Sequence, residues 1–273
     1  MAVATAPARP STGLELLSYQ PDGRRRAPPL LFVHGAWHGA WCWAEHFMPY
    51  FAEAGYSCQA LSLRGHGGSA GRERLRWTRL RDYVADVAEV AALLPTAPVL
   101  IGHAMGGAVV QRYLERHPAA GAALLASVPP FGALPATVRI ARREPLAFLE
   151  SNFALSLYPF VRTPERARAL LFSPQLSPSE LRAYQARMQD ESYLAQLEMI
   201  AMGLRPPRPR RTPMLVLGGA DDALIGPSDV RLTARRYGVE PVLFAQTAHD
   251  MMLEPRWREV ADRVLAWLDE LNR

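Results

Sequence analysis

Lysine is absent from this sequence of 273 residues, so all 31 basic residues are arginine, and the formal net charge of +5 reflects a coding preference more than a built basic face. The arginine clusters are Arg24-Arg25-Arg26 and Arg205-Pro206-Pro207-Arg208-Pro209-Arg210-Arg211. Both read as proline-flanked connectors without the interleaved aromatic residues on which bases stack, so no nucleic-acid partner is expected. Only two cysteines occur, Cys42 and Cys58, inside apparent regular elements and without metal-ligand or C-x-x-C spacing. That excludes a disulfide framework and implies reduced, buried thiols, hence a cytoplasmic chain. No apolar run approaches the ~18 residues that cross a bilayer, so no membrane partner is expected. The stretch Met1 to Pro10 lacks a basic segment followed by an apolar one and reads as a frayed tail, not a secretory signal. Low-complexity tracts and repeats are also missing. With 49 % hydrophobic and 21 % charged residues, disorder, collagen and coiled coil are ruled out.

What the sequence does contain is an alternation of short apolar runs with helical periodicity, the pattern of a βα series around a parallel sheet. Strands are expected at Leu30 to Val33, Ser57 to Leu63, Val99 to Ile101, Gly121 to Val128, Met214 to Leu217 and Pro241 to Phe244. One helix is expected from Trp41 to Ala54, closed by Gly55, and another from Met105 to His117. Tyr83, Val84, Val87, Val90, Ala91 and Leu94 recur at three- and four-residue steps, as do Trp257, Val260, Ala261, Val264, Leu265, Leu268 and Leu271. From Phe131 to about Pro209 the alternation stops and the sequence becomes helical and proline-punctuated. The fold class is therefore α/β, a mostly parallel doubly wound sheet formed by residues 1–130 and 210–273, interrupted by a helical insertion at 131–209. An insertion at the carboxyl ends of parallel strands lies over the usual site of such folds, so it reads as a lid.

The chemistry concentrates in Val99-Leu100-Ile101-Gly102-His103-Ala104-Met105-Gly106-Gly107. A strand runs into a sharp turn flanked by glycines and then into a helix, the geometry of a nucleophile elbow, G-x-S-x-G. Ala104 occupies its centre and carries no nucleophilic atom. Asp222 follows one later strand and His249 the next, giving the order nucleophile slot, acid, base. Each sits just past the carboxyl end of a strand, so the three can meet at one sheet edge. Asp222 would orient His249, and His249 would take the nucleophile's proton. The N–H of Ala36, after His34-Gly35, pairs with that of Met105 to form an oxyanion hole.

On these motifs the chain resembles the α/β-hydrolase fold superfamily, from about Thr12 to Leu271. The run His34-Gly35-Ala36-Trp37-His38-Gly39-Ala40-Trp41-Cys42-Trp43 is similar to that of the plant methylesterase and hydroxynitrile lyase branch and its bacterial relatives. Arg64-Gly65-His66-Gly67-Gly68-Ser69 resembles the family's loop after the following strand. The resemblance implies a cofactor-free, metal-free enzyme cleaving an ester, thioester or related carbonyl compound of modest size. The partner is a small molecule with an apolar or aromatic portion, through an acyl-enzyme. It also implies a pocket-lining role for His38, for which packing is nearly as good an account; Trp37 and His103 are further pocket candidates, although His103 flanks the elbow and reads equally as a support behind it.

The departure is Ala104 in place of serine. Loss of a serine nucleophile lowers turnover by about 10⁶, so the chain is expected to be nearly inert toward esters. Asp222, His249 and the turn glycines all remain, which favours an engineered Ser→Ala exchange over a natural loss. A lyase or isomerase using the His–Asp pair as general base and a ligand-binding pseudoenzyme stand as alternatives. Asp222 has a rival in Asp221 and an alternative role as a turn cap. The stretch Gly65 to Ala70 formally satisfies a dinucleotide fingerprint, but Arg72-Glu73-Arg74 stands where an apolar helix should begin. Phe131, Phe148, Phe153, Leu155, Leu157, Tyr158, Phe160, Tyr193, Leu197, Met199, Ile200 and Met202 supply either the lid's own core or an apolar pocket.

Overall fold

Leu30, Leu31, Phe32 and Val33 are fully inaccessible, as are Val99, Leu100 and Ile101 beside them. Runs buried on both faces are what a parallel sheet covered by helices requires. The computed structural model describes residues 3–4, 13–23, 25–202 and 212–273. In chain order the elements are β1 (Val3–Ala4), β2 (Leu16–Gln20), β3 (Arg26–Val33), α1 (Trp41–Ala44), α2 (Phe47–Glu53), β4 (Tyr56–Leu61), α3 (Leu80–Ala92), β5 (Val99–His103), α4 (Ala104–Tyr113) and β6 (Gly121–Leu125). Five helices follow: α5 (Leu134–Arg143), α6 (Pro145–Ala154), α7 (Pro164–Leu171), α8 (Pro178–Gln185) and α9 (Tyr193–Ala201). The sheet resumes with β7 (Met214–Gly219), α10 (Pro227–Tyr237), β8 (Pro241–Phe244) and α11 (Trp257–Leu271).

All eight strands lie in one sheet, ordered β1-β2-β4-β3-β5-β6-β7-β8. The β1–β2 and β2–β4 pairings are antiparallel and the rest parallel. The chain leaves β3 toward β4 on one side and returns to place β5 on the other. The crevice between the carboxyl ends of β3 and β5 is therefore the point where winding reverses, the position at which such sheets bind ligands. Helices α2 and α11 pack on each other, and α4 packs on β5 and α3.

Several expectations are corrected. Val3 and Ala4 pair with Gln20 and Tyr19 as an edge strand rather than fraying; the rest of the N-terminal tail, Arg24 and the cluster from Arg205 to Arg211 lie outside the described residues. Arg26 is not in a connector: it opens β3 and pairs with Asp269. The single helix expected from Trp41 to Ala54 is two, because His46 leaves helical geometry with φ −137° and stacks its ring on Trp257, 4.7 Å between centroids. The strand expected to reach Val128 ends at Leu125, and α4 starts at Ala104 and ends at Tyr113, short of His117. Phe131, Phe153 and Leu197 do not belong to the buried core; they are exposed, Phe153 at 89 %. Among the described residues no helix is long and apolar enough to cross a membrane. Cys42 and Cys58 are buried free thiols.

The inserted helices are tied to the loop after β4 through Glu191. This buried carboxylate receives the Tyr83 hydroxyl at 2.7 Å and lies 3.0 Å from His66 Nε2. Gln189 adds two bonds: its amide nitrogen donates to Gly65 O, and its oxygen accepts from Gly67 N–H, both at 2.8 Å. The would-be dinucleotide loop is thus a docking loop for residues 189–191.

Candidate active site

At the end of β5 the backbone turns from extended geometry at His103 (φ −104°) to the left-handed region at Ala104 (φ 48°), where α4 begins. A non-glycine residue there costs about 1–2 kcal/mol, so its neighbours must enforce it. A side chain on Gly102 would lie 2.8 Å from Gly106 O, and one on Gly106 would lie 2.3 and 2.4 Å from the carbonyl oxygens of Val33 and His34. Both glycines are required by close backbone approach. Gly106→Ala is expected to lower stability by about 3 kcal/mol, because only backbone stands in the way; urea unfolding would show the shifted midpoint.

The same approach brings the β3–α1 loop onto the turn: a Cβ built on Gly35 would meet the Ala104 methyl at 3.0 Å and His103 Nδ1 at 2.7 Å. Ala36 follows directly, and Trp37 adopts φ 66°. The Met105 N–H lies in the first turn of α4, where no intrahelical acceptor exists. Trp37 is anchored to the inserted helical segment, its indole N–H donating to Leu157 O and its carbonyl accepting from Gln189 N–H, both at 3.0 Å.

Asp222 answers both readings made of it. Oδ1 accepts the N–H groups of Leu224 and Ile225 at 2.7 and 2.9 Å, capping the turn, while Oδ2 lies 2.8 Å from His249 Nδ1. Asp221 is exposed. With Nδ1 donating to Asp222, His249 is left with Nε2 as its free nitrogen. Burial alone would pull the His249 pKa down, but the charge and hydrogen bond of Asp222, with help from Asp250, raise it above 6.5. Its ring lies 4.8 Å from that of His103, the neighbour of Ala104. The structure therefore pairs Asp222 with His249 and sets His249 beside the residue that precedes Ala104.

His34, His103 and His38 are buried around the site. His34 donates from Nδ1 to Gly35 O and accepts Leu63 N–H at Nε2, at 2.8 and 3.0 Å. Burial, then the charge of His66, keeps it neutral, well below 6.5. His103 Nε2 donates to His249 O at 3.0 Å. Burial, then His249, pushes the His103 pKa to about 3, so it too is neutral. His38, 1 % exposed, has both ring nitrogens facing protein atoms. Asp250, wholly buried next to His249, has no signal in the sequence beyond that adjacency. One ligand atom each of His103, His249 and Asp250 falls within 4.8 Å. Ligands on one zinc ion at 2.0–2.1 Å would stand about 3.4 Å apart, and His103 Nε2 carries the proton it gives to His249 O, so this set does not fit a metal as it stands.

Ala104 is only 7 % exposed and Met105 1 %, so the centre is enclosed. Comparison with known proteins bears on what such a centre does. Residues 30–263 match the model of the Alpha/beta hydrolase family. A monoacylglycerol lipase of Mycolicibacterium smegmatis is 29 % identical over 248 residues, 82 % of either chain. Methyl jasmonate esterase 1 of Vitis vinifera is 30 % identical over 96 residues, 34 % of this chain and 36 % of that one. A non-heme haloperoxidase of Rhodococcus erythropolis is 33 % identical over 159 residues, 54 % of this chain and 56 % of its own. Among solved structures, the monoacylglycerol lipase of Paleococcus ferrophilus superposes with a TM-score of 0.71 at 19 % identity, covering 94 % of this chain and 99 % of that one. An esterase from Exiguobacterium antarcticum gives 0.70 at 16 %, covering 94 and 95 %.

Proposed function

Because the chain belongs to the α/β hydrolase family, we propose that the centre at Ala104 is that of an acyl-transfer hydrolase whose nucleophile position holds a methyl group. The observation that carries this reading is the retained strain: Ala104 keeps φ 48°, a backbone geometry that costs stability and serves to present a side chain at that apex, and His249 keeps Asp222 at 2.8 Å. In the serine form, residue 104 attacks the carbonyl and His249 Nε2 takes its proton. Asp222 steadies the imidazolium, and the N–H groups of Ala36 and Met105 receive the oxyanion. The tetrahedral intermediate then expels the alkoxide, which takes the proton back from His249 and leaves as the alcohol. The neutral imidazole next deprotonates a water that attacks the acyl-enzyme, and collapse returns the proton to the residue-104 oxygen and releases the acid.

The relatives named lipase and esterase support an ester with an apolar portion as the substrate class. The helical segment 131–209 is proposed as the lid, since Trp37 beside the slot is held to it at Leu157 and Gln189. A second reading rests on the methyl group itself: with no nucleophile, the His249–Asp222 pair remains competent as a general base for lyase or isomerase chemistry. A fluorophosphonate probe separates the two. Ala104→Ser should label covalently and the present chain should not. An Ala104→Ser chain that neither labels nor turns over any of a broad ester panel removes the hydrolase reading.

A further inference from the structure

We propose that Arg139, on the inserted helix α5, is a positioning residue for Asp222, so that seating the insertion and setting the acid are one event. Its guanidinium reaches the loop between β7 and α10. Nε donates to Leu224 O at 3.1 Å, and a terminal nitrogen donates to the same oxygen and to Asp229 Oδ2. The peptide that carries the Leu224 oxygen also carries the Ile225 N–H, which donates to Asp222 Oδ1 at 2.9 Å. The other oxygen of that carboxylate lies 2.8 Å from His249 Nδ1. An unbroken chain of hydrogen bonds thus runs from a cation on α5, through one amide, to the acid and the base.

Each link strengthens the next. A positive charge on a carbonyl oxygen polarises its peptide and makes the N–H at the other end a better donor, a cooperative gain of ~10–30 % per bond. Leu224, Ile225 and Asp229 are buried, so little water competes along this path. Asp229 fixes the far end of the same turn, its Oδ2 also accepting Gly226 N–H at 3.1 Å. The guanidinium therefore grips the turn at two points, a task for a planar fork and not for a single ammonium. Other ties of the insertion end away from the acid. Glu198 accepts from Arg79 Nε and Leu80 N–H at 2.6 and 2.7 Å, and Glu191 holds Tyr83 and His66. The inference rests on the proposed reading of 131–209 as a lid over a hydrolytic centre: lifting α5 withdraws Arg139 and leaves the Asp222 turn without its outer clamp.

The test has two arms. In the present chain at pH 5, where His249 is the imidazolium, the proton on its Nδ1 should resonate far downfield in the ¹H spectrum. Arg139→Met removes the guanidinium and keeps an apolar stem, and that resonance should move upfield. Arg139→Lys, which keeps the charge and reaches one acceptor at a time, should fall between the two. Glu198→Gln cuts a different tie of the insertion and should leave the resonance in place. A resonance that Arg139→Met does not move, or that Glu198→Gln moves as far, overturns the proposal. The kinetic arm depends on the hydrolytic reading. In Ala104→Ser, adding Arg139→Met should lower kcat for a short-chain aryl ester roughly tenfold, the scale on which orienting partners act. KM should change little, because the acid works in the transition state and not in ground-state binding. An unchanged kcat, or a loss confined to KM, in an active Ala104→Ser background refutes the positioning role. An inert Ala104→Ser parent refutes the hydrolytic reading alone, and the spectra still decide whether Arg139 sets the acid.

Discussion

Ala104→Ser is expected to raise turnover of a short-chain aryl ester by about 10⁶, or about 8 kcal/mol of barrier. The estimate is this large because nothing else needs rebuilding. The left-handed turn is in place at φ 48°, the flanking glycines already accommodate it, and His249 is already oriented by Asp222 at 2.8 Å. Initial rates with an aryl acetate, for the variant and its parent side by side, measure it. A gain below tenfold would mean that the His249 Nε2 does not reach the new hydroxyl.

The second large effect belongs to Asp222→Asn in the serine background, where kcat should fall by about 10⁴. The direction follows from how Asp222 is held. Its Oδ1 accepts two backbone N–H groups, from Leu224 and Ile225, so an asparagine must keep its carbonyl oxygen there and turn its amide toward His249. The amide donates to Nδ1, the proton moves to Nε2, and the nitrogen facing residue 104 can no longer accept. Expression and unfolding midpoint should change little, which separates lost tautomer control from lost fold. In Ala104→Ser itself, only the neutral imidazole is a base. Activity should therefore rise with pH through an apparent value above 6.5, the direction in which Asp222 and Asp250 move His249.

The elements legible from sequence were those whose burial is one-dimensional. Leu30 to Val33 and Val99 to Ile101 are continuous apolar runs and lie at the sheet centre. The edge was harder to read: β2, Leu-Leu-Ser-Tyr-Gln, is half-buried and mixed in polarity, and β1 is two residues long. Helix α10 is hard to read from sequence although Pro227 opens it and Gly238, at φ 68°, closes it. Its signal was present in the punctuation and weak in the apolar stripe. Asp222 and His249 could be placed because they follow strand ends in a fixed order. Asp250 could not, because no local pattern marks it beyond standing next to His249.

The sharp turn at residue 104 is held by its neighbours and not by its own side chain. Gly102, Gly106 and the carbonyls of Val33 and His34 impose it, and alanine at the apex contributes nothing polar to keep it there. The apex is therefore a socket. Cysteine, serine or aspartate installed there would be delivered to one spot with one approach direction, whereas β-branched valine or threonine would fight the positive φ. A single codon, in a scaffold otherwise untouched, selects which reactive atom this protein presents.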